Sequence, residues 1–205
     1  MSERAYGILL AGVGGQEAEL AGELIARAAI EAGLEATLST ERPPSRHGGS
    51  AVCRVRIARG EIRTPFISPG EADLLLGLEG LESLRRIHEV RADGLAVVAD
   101  RIVPTPRMRA GLEEPPADIP GRLRQAVARV VLLPLEAIFP VPREPAALAG
   151  AFLGVAACLL PIPAAAWDAT AAREGIAWLE GLALGRRFFE AQPEDVRCPL
   201  APRAA

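Results

Sequence analysis

A glycine-rich turn between an apolar strand and a helix is the feature that most constrains how this chain can fold. Residues 6–13, "YGILLAGV", form a short continuous apolar run, which is typical of a strand covered on both faces of a sheet. Gly12, Gly14 and Gly15 crowd its end. Directly after them, apolar residues recur every four positions over 17–32, which predicts a helix. The chain therefore opens as an α/β fold, with its first strand at the centre of the sheet.

The rest of the sequence continues this alternation of strands and helices. We predict strands at 34–41, 72–79, 94–100 and 129–135, and helices at 80–90, 122–128, 144–160 and 174–191. Residues 51–67 alternate apolar and polar side chains and turn at Arg59-Gly60, which predicts a β-hairpin and a mixed sheet. Residues 103–120 form a proline-rich loop. We expect one domain over 1–190 and a flexible tail over 191–205.

Charge and residue usage exclude several classes of function. The 205 residues carry a formal charge of −3, which provides no general attraction for nucleic acid or anionic lipid. The sequence contains no lysine, so neither a Schiff-base lysine nor a phosphate-loop lysine is available. It shows no signal-peptide pattern, and Gly154, Pro161 and Pro163 interrupt its most apolar stretch. We expect a soluble cytoplasmic protein that contacts neither nucleic acid nor membrane.

The cysteines predict neither a metal site nor an iron–sulfur cluster. Cys53, Cys158 and Cys198 are far apart in sequence, and no Cys-x-x-Cys pair or Cys/His cluster occurs. A structural zinc or an iron–sulfur cluster needs several convergent thiolates or imidazoles. We therefore expect two buried thiols and one thiol in the tail, no metal ligand and no cofactor bound by this chain alone.

The glycine turn is the first candidate binding site. A dinucleotide-binding turn has a third glycine and places phosphate at the N-terminus of the following helix. Here Glu17 occupies that glycine's position, and in the first helical turn its charge would repel an anion. Two interpretations stay open: a nucleotide site, with Glu41 as a ribose acid, or a tight turn with a purely structural role.

The loop before residue 51 is the second candidate site. Arg46, His47, Gly48, Gly49 and Ser50 combine a permanent cation, a group that titrates near neutrality and free backbone N–H groups. These are the components of a carboxylate or phosphate site. The alternative is a flexible loop with a solvated Arg–His pair.

Two further polar residues have structural interpretations. Glu79 follows a strand whose carboxyl end faces the crevice of an open α/β sheet, but we favour it as the cap of the next helix. His88 lies among charged residues and is predicted to be exposed.

Four segments in order identify a family resemblance. "GVGGQ" after the first strand, "RHGGSAVCRVRI", "SPGEADLLLGLEGLESLR" and the later "IVPTP" resemble the small subunit of indolepyruvate ferredoxin oxidoreductases. More broadly, they resemble the gamma-type domain of the 2-oxoacid:ferredoxin oxidoreductase family. The similarity extends from about residue 6 to residue 190.

The resemblance implies a three-layer α/β/α domain with a mixed, mostly parallel sheet. It also implies an accessory subunit that assembles with a larger chain carrying thiamine diphosphate and iron–sulfur clusters. That complex oxidatively decarboxylates 2-oxoacids, here of the aryl-pyruvate type, to acyl-coenzyme A and passes electrons to ferredoxin. No residue of this chain is expected to be catalytic, and a homodimer is left open. The expected contact residues around the partner's active site are Gly12, Gly14, Gly15, Gln16, Glu17, Arg46, His47, Gly48, Gly49 and Ser50.

Three positions depart from the family's pattern. The family's turn ends in Gln-Gly, where this chain has Glu17, and its second loop has arginine where this chain has His47. An asparagine ahead of a Leu-Gly pair in the last helical region aligns with Ala149. These changes lie in loops and at a helix start, which predicts a retained fold with altered ligand contacts. The alternatives are a divergent non-catalytic scaffold or binding protein, and a nucleotide-dependent oxidoreductase.

Overall fold

A six-stranded sheet with the first strand near its centre organises the molecule. The computed structural model describes residues 5–41, 49–141, 143–198 and 200. In this part of the chain the strand order is β2-β3-β1-β4-β5-β6. The strands are β1 (Tyr6–Val13), β2 (Glu35–Glu41), β3 (Ser50–Ala58), β4 (Ala72–Gly77), β5 (Val90–Ala99) and β6 (Arg129–Leu133). Strand β3 runs antiparallel to β1 and β2, whereas β1, β4, β5 and β6 are parallel neighbours. The predicted mixed, mostly parallel sheet is confirmed.

The hairpin predicted for residues 51–67 is wrong. Strand β3 ends at Ala58, and residues 59–71 form no strand. Both edges of β3 are already occupied, by β1 on one side and β2 on the other. Pro65 also lacks the N–H that a strand needs for pairing. The antiparallel character of the sheet therefore comes from long-range pairing of β3 rather than from a local hairpin.

The described helices include the predicted segments and four more, three of which are short helices of four residues. They are α1 (Ala18–Glu31), α2 (Gly80–Arg86), α3 (Pro106–Arg109), α4 (Ile119–Ala126), α5 (Leu135–Ile138), α6 (Pro145–Leu159), α7 (Ala164–Glu174), α8 (Ile176–Glu190) and α9 (Glu194–Arg197). A 3₁₀ helix over Ile87–Glu89 continues α2. The sequence pattern did not predict α7, because this alanine-rich helix buries only Trp167, Thr170 and Ala171 and so shows no apolar stripe.

Helices cover both faces of the sheet, which gives the predicted three layers. Leu10 of β1 belongs to the larger core, under α1, α6, α7 and α8. Its neighbour Leu9 belongs to a second core on the opposite face, which includes Leu123 of α4. Both side chains are fully buried. Because successive strand residues point to opposite faces, a strand covered on both sides needs the continuous apolar run seen in the sequence.

Helices α6 and α8 pack with their backbones in direct contact. A Cβ atom at Gly150 would lie 2.8 Å from the carbonyl oxygen of Trp178, and one at Gly154 would lie 2.9 Å from Cα of Gly185. Such distances leave no room for a side chain at these positions, so the glycines set the separation of the two helices. Helix α6 thus passes through Gly154 without interruption and ends before Pro161. Within the described ranges, no helix combines the length and apolar character needed to cross a membrane.

A buried ion pair joins the amino ends of three strands. Asp73 of β4 accepts a hydrogen bond from the backbone N–H of Gly7 in β1 at 2.7 Å. Its other carboxylate oxygen lies 3.2 Å from Nη1 of Arg91 in β5. The side chains of Asp73 and Arg91 are 3% and 7% exposed. This edge of the sheet is therefore closed by internal contacts.

The segment after α8 makes contacts with the sheet. The guanidinium of Arg129 in β6 donates a hydrogen bond to the carbonyl oxygen of Cys198 at 2.8 Å. Leu200 is 2% exposed and belongs to the larger core. The division into a domain over 1–190 and a flexible tail over 191–205 stays a prediction.

Candidate functional site

The glycine turn lies between two neighbouring strands whose following helices pack on opposite faces of the sheet. Helix α1 follows β1 and packs on the face of the larger core, whereas α2 follows β4 and packs on the opposite face. Strands β1 and β4 are parallel neighbours. In open α/β sheets, a crevice forms at the carboxyl ends of such strands, and ligands bind there.

Gln16 holds the turn in shape through both ends of its side-chain amide. Its Oε1 accepts a hydrogen bond from the N–H of Val13 at 2.8 Å, and its Nε2 donates to the carbonyl oxygen of Leu78 at 3.2 Å. A Cβ atom at Gly12 would lie 2.8 Å from the same Oε1. Gly12 therefore provides the space that the Gln16 amide occupies, and Gln16 joins the end of β1 to the segment after β4.

Glu17 adopts a left-handed backbone conformation, with φ 60° and ψ 24°. It precedes the first residue of α1 and its side chain makes no capping hydrogen bond, so the prediction that placed it inside the first helical turn is wrong. Among described residues other than glycine, only Glu17 and Asp118 have positive φ. A side chain in this conformation costs about 1–2 kcal/mol. Glycine, which the family resemblance predicts at this position, adopts the left-handed conformation without this cost.

The structure brings the two candidate loops together at one point. The N–H of Gly14 donates to the carbonyl oxygen of Gly49 at 2.8 Å. Val13 is the register partner of Ser50 in the antiparallel pair of β1 and β3. Arg46, His47 and Gly48 lie outside the described residues.

Glu79 caps α2, as the sequence analysis favoured. Its carboxylate accepts hydrogen bonds from the N–H groups of Leu81 at 3.0 Å, Val103 at 3.3 Å and Glu82. Burial raises the pKa of Glu79, which is 1% exposed, while these hydrogen bonds oppose that shift. The cap joins the segment after β4 to the segment after β5. His88 is exposed, as predicted.

Arg101 is a site residue that the sequence analysis missed. It follows β5 by two positions and contributes to the walls of two clefts at the carboxyl edge of the sheet. The smaller has a volume of about 50 Å³ and is also lined by Gly15, Gln16 and Ala149. The larger has a volume of about 370 Å³ and includes Asp118. The signal that could have found Arg101 is its place just after the buried run "GLAVVAD".

The guanidinium of Arg101 has no partner in the part of the chain that the structure describes. Its Nε is buried without a hydrogen-bond acceptor, and no ion pair is formed. Burial lowers the pKa of Arg101, and the charges of Glu79 and Glu136 oppose this shift. Among the described residues, Arg101 thus lies at the carboxyl edge without an ion-pair partner.

The donor atoms of the described residues do not fit a metal ion or an iron–sulfur cluster. Across these ranges, no group of three or more His, Cys, Asp or Glu side chains converges. Cys53 lies in β3 under α1, and burial raises the pKa of its thiol to about 12. A cluster requires several thiolates at one place.

Comparisons with known proteins agree with the fold and give it a family context. The family model described as pyruvate ferredoxin/flavodoxin oxidoreductase matches residues 7–177. The chain is similar to indolepyruvate oxidoreductase subunit IorB of Archaeoglobus fulgidus, with 36% identity over 126 residues. This alignment covers 60% of the chain and 62% of that relative, so it spans less than two thirds of the relative's length.

Two solved structures have a similar fold. A 2-oxoglutarate:ferredoxin oxidoreductase from Magnetococcus marinus, with 2-oxoglutarate, coenzyme A and succinyl-CoA bound, superposes with a TM-score of 0.72 at 18% identity. The match covers 98% of this chain and 34% of that one. The gamma subunit of a keto/oxoacid ferredoxin oxidoreductase from Geobacter sulfurreducens has a TM-score of 0.60 at 20% identity, covering 89% and 99%.

Proposed function

Because the chain belongs to the pyruvate ferredoxin/flavodoxin oxidoreductase family, we propose that it is an accessory, gamma-type subunit of a 2-oxoacid:ferredoxin oxidoreductase. The observation that carries this proposal is the family match over residues 7–177. The relative's name supports an indolepyruvate or aryl-pyruvate substrate for the complex. The chain acts in the cytoplasm, together with a larger subunit.

The partner chain supplies the reactive groups in this proposal. Thiamine diphosphate provides the carbanion chemistry of decarboxylation, and iron–sulfur clusters carry electrons to ferredoxin. The scattered thiols and the lack of a convergent metal-ligand group among the described residues support placing both groups on the partner. Coenzyme A serves as a substrate of the complex. This chain contributes a shaped surface rather than a reacting atom.

The carboxyl edge of the sheet is the surface that we propose faces the partner. Its contact residues are Gly12, Gly14, Gly15, Gln16 and Glu17 of the turn, with Arg46, His47, Gly48, Gly49 and Ser50 of the second loop. The Gly14–Gly49 hydrogen bond supports treating the two loops as one surface. The opposite edge is occupied by the Asp73–Arg91 pair, which supports assigning contact to the carboxyl edge.

Co-expression with the larger subunit tests the proposal. The chain and a thiamine- and iron–sulfur-bearing neighbour from the same genome are purified together. The complex is assayed for 2-oxoacid-dependent reduction of an artificial electron acceptor, with indolepyruvate, pyruvate and 2-oxoglutarate compared in the presence of coenzyme A. We expect a stable complex that is most active with indolepyruvate and a partner that is inactive alone. A partner equally active alone would refute the accessory role.

The divergence at Glu17 and Ala149 favours a second candidate, a non-catalytic relative that acts as a self-associating scaffold or binding protein. Both positions lie at or next to the smaller cleft. In the co-expression experiment, a complex that forms but stays inactive, and that Glu17→Gly with His47→Arg does not activate, supports this candidate. A homodimer in the absence of the neighbour would agree with it. A third candidate, a nucleotide-dependent oxidoreductase, predicts NAD, NADP or FAD binding at millimolar concentration.

A further inference from the structure

The unmatched guanidinium at the shared wall of the two clefts points to a ligand. We propose that Arg101 binds the carboxylate of a small apolar monocarboxylic acid, whose body occupies the larger cleft. This inference goes beyond the proposed function, because it concerns binding by this chain's own residues and is tested without the partner.

The backbone at Arg101 and just after it is held by two hydrogen bonds. Its carbonyl oxygen accepts a hydrogen bond from the N–H of Gly80 at 2.8 Å, and the N–H of Val103, two residues later, donates to Glu79 at 3.3 Å. The side chain therefore projects from a base that is held against the start of α2. A binding group on a fixed base loses less conformational entropy when a ligand arrives.

Among the described residues, Arg101 has no ion-pair partner, unlike the buried arginines Arg54 and Arg91. Arg54 donates to Glu89 at 2.8 Å and to Glu41 at 2.6 Å, and Arg91 pairs with Asp73. Arg101 has no such carboxylate among the described residues, although its Nε is buried. The residue as a whole is only partly buried. Guanidinium donors form a planar fork that matches a carboxylate with two parallel hydrogen bonds.

The sizes of the two clefts indicate that the apolar body of the ligand lies in the larger one. The smaller cleft, of about 50 Å³, has room for only a few water molecules, since one water needs about 10–15 Å³ of such space. Its other polar side chain, Gln16, already makes one hydrogen bond through each end of its amide. The larger cleft, of about 370 Å³, can hold a ring or a branched chain. Its apolar walls come from Val98, Ile102, Ile119, Leu123 and Leu132.

The acidic residues of the larger cleft favour a ligand with a single negative charge. Asp100 is exposed, and the carboxylate of Asp118 accepts a hydrogen bond from the N–H of Gly121 at 2.9 Å as the cap of α4. A second negative charge on the ligand would be repelled by these carboxylates. We therefore expect a monocarboxylate to bind more tightly than pyrophosphate.

Isothermal titration of the purified chain with phenylacetate and indole-3-acetate tests the proposal. We expect saturable binding of the acids and at least tenfold weaker binding of phenylacetamide and of pyrophosphate. Arg101→Gln should weaken acid binding at least tenfold. The affinity of Arg101→Lys for the acids should lie between those of Arg101→Gln and the original chain, because an ammonium keeps the charge but not the planar pair of donors. Arg109→Gln, an exposed arginine on nearby α3, is the matched control and should change nothing.

Asp100→Asn provides a test that does not depend on the folding of the Arg101 variants. Removal of this exposed charge should strengthen binding of the acids about twofold or more, as expected when a like charge is removed. The proposal is overturned by equal binding of acid and amide, by no saturable binding at millimolar concentration, or by unchanged affinity in both Arg101 variants. Tighter binding of pyrophosphate would overturn the assignment to monocarboxylates. None of these outcomes depends on activity of the complex, so the accessory-subunit proposal is judged separately.

Discussion

Replacement of Glu17 by glycine should stabilise the protein, because this residue has a left-handed backbone conformation. Relief of the side-chain clash in that conformation contributes about 1–2 kcal/mol. The greater freedom of glycine in the unfolded chain removes about 0.4–1 kcal/mol of that gain. The midpoints of these two ranges differ by about 0.8 kcal/mol, so we expect a net increase in the free energy of unfolding of about 0.5–1 kcal/mol. For a chain of this size, it corresponds to a rise in Tm of about 1–4 °C.

Charge must be separated from backbone strain in this experiment. The Glu17 carboxylate lies at the N-terminus of α1, where a negative charge stabilises a helix by about 0.3–1 kcal/mol at low salt. Glu17→Gln removes the charge but keeps the strained backbone, so it is the proper reference for Glu17→Gly. Denaturant unfolding in 1 M salt, where the Debye length is about 3 Å, suppresses the remaining charge effect.

A control within α1 shows what glycine does where φ is already helical. Ala26→Gly should lower the free energy of unfolding by about 1 kcal/mol. If Glu17→Gly also lowers it relative to Glu17→Gln in high salt, the left-handed conformation is not the source of strain and the reasoning is refuted.

Three other predictions test the core, the buried ion pair and the thiols. Gly185→Ala should lower the free energy of unfolding by about 1–3 kcal/mol or more in a denaturant titration, because its Cβ would overlap the backbone of α6. The control Gly60→Ala, with open space around it, should change the free energy of unfolding by less than about 0.5 kcal/mol. Asp73→Ala should lower it by about 3–5 kcal/mol, because the Arg91 guanidinium loses its buried carboxylate and keeps the exposed Asp93, while the N–H of Gly7 loses its acceptor. A loss below about 1 kcal/mol would contradict that role. At pH 8, a thiol reagent should modify the exposed Cys198 rapidly but Cys53 only after unfolding, since burial raises the pKa of Cys53 to about 12. Rapid modification of both thiols, measured by mass spectrometry, would contradict the burial of Cys53.

Helices and strands whose pattern of apolar residues directly reflects which of their faces are buried could be predicted from the sequence. The continuous apolar run of β1 directly reflects its burial on both faces. Pairing between distant segments leaves no comparable trace, since the alternation in β3 fits a local hairpin as well as its actual position between β1 and β2. Helix α7 was missed for a related reason, because its narrow buried face produces no periodicity.

The position of the candidate site could be predicted from the sequence, but its hydrogen bonds and backbone conformation could not. The glycine turn and the acid after β4 were found because the carboxyl ends of parallel strands meet at one edge of a sheet. The bonds of the Gln16 amide to Val13 and Leu78 depend on tertiary structure. From the sequence, Glu17 is notable for its charge, whereas in the structure its unusual property is its backbone conformation. Arg101 became visible only when the folded chain left its guanidinium unmatched.

The amide of Gln16 has a consequence for how this turn can evolve. The Gln16 amide bonds to both Val13 and Leu78, and the turn keeps these bonds although Glu17 carries a strained φ angle. A lineage can therefore lose the glycine after the glutamine, accept a penalty of about 1–2 kcal/mol, and still inherit the same turn. Substitution of Gln16 itself offers no such route, because a replacement must both donate and accept hydrogen bonds from one buried position. Drift in sequence should thus be tolerated at position 17 and resisted at position 16.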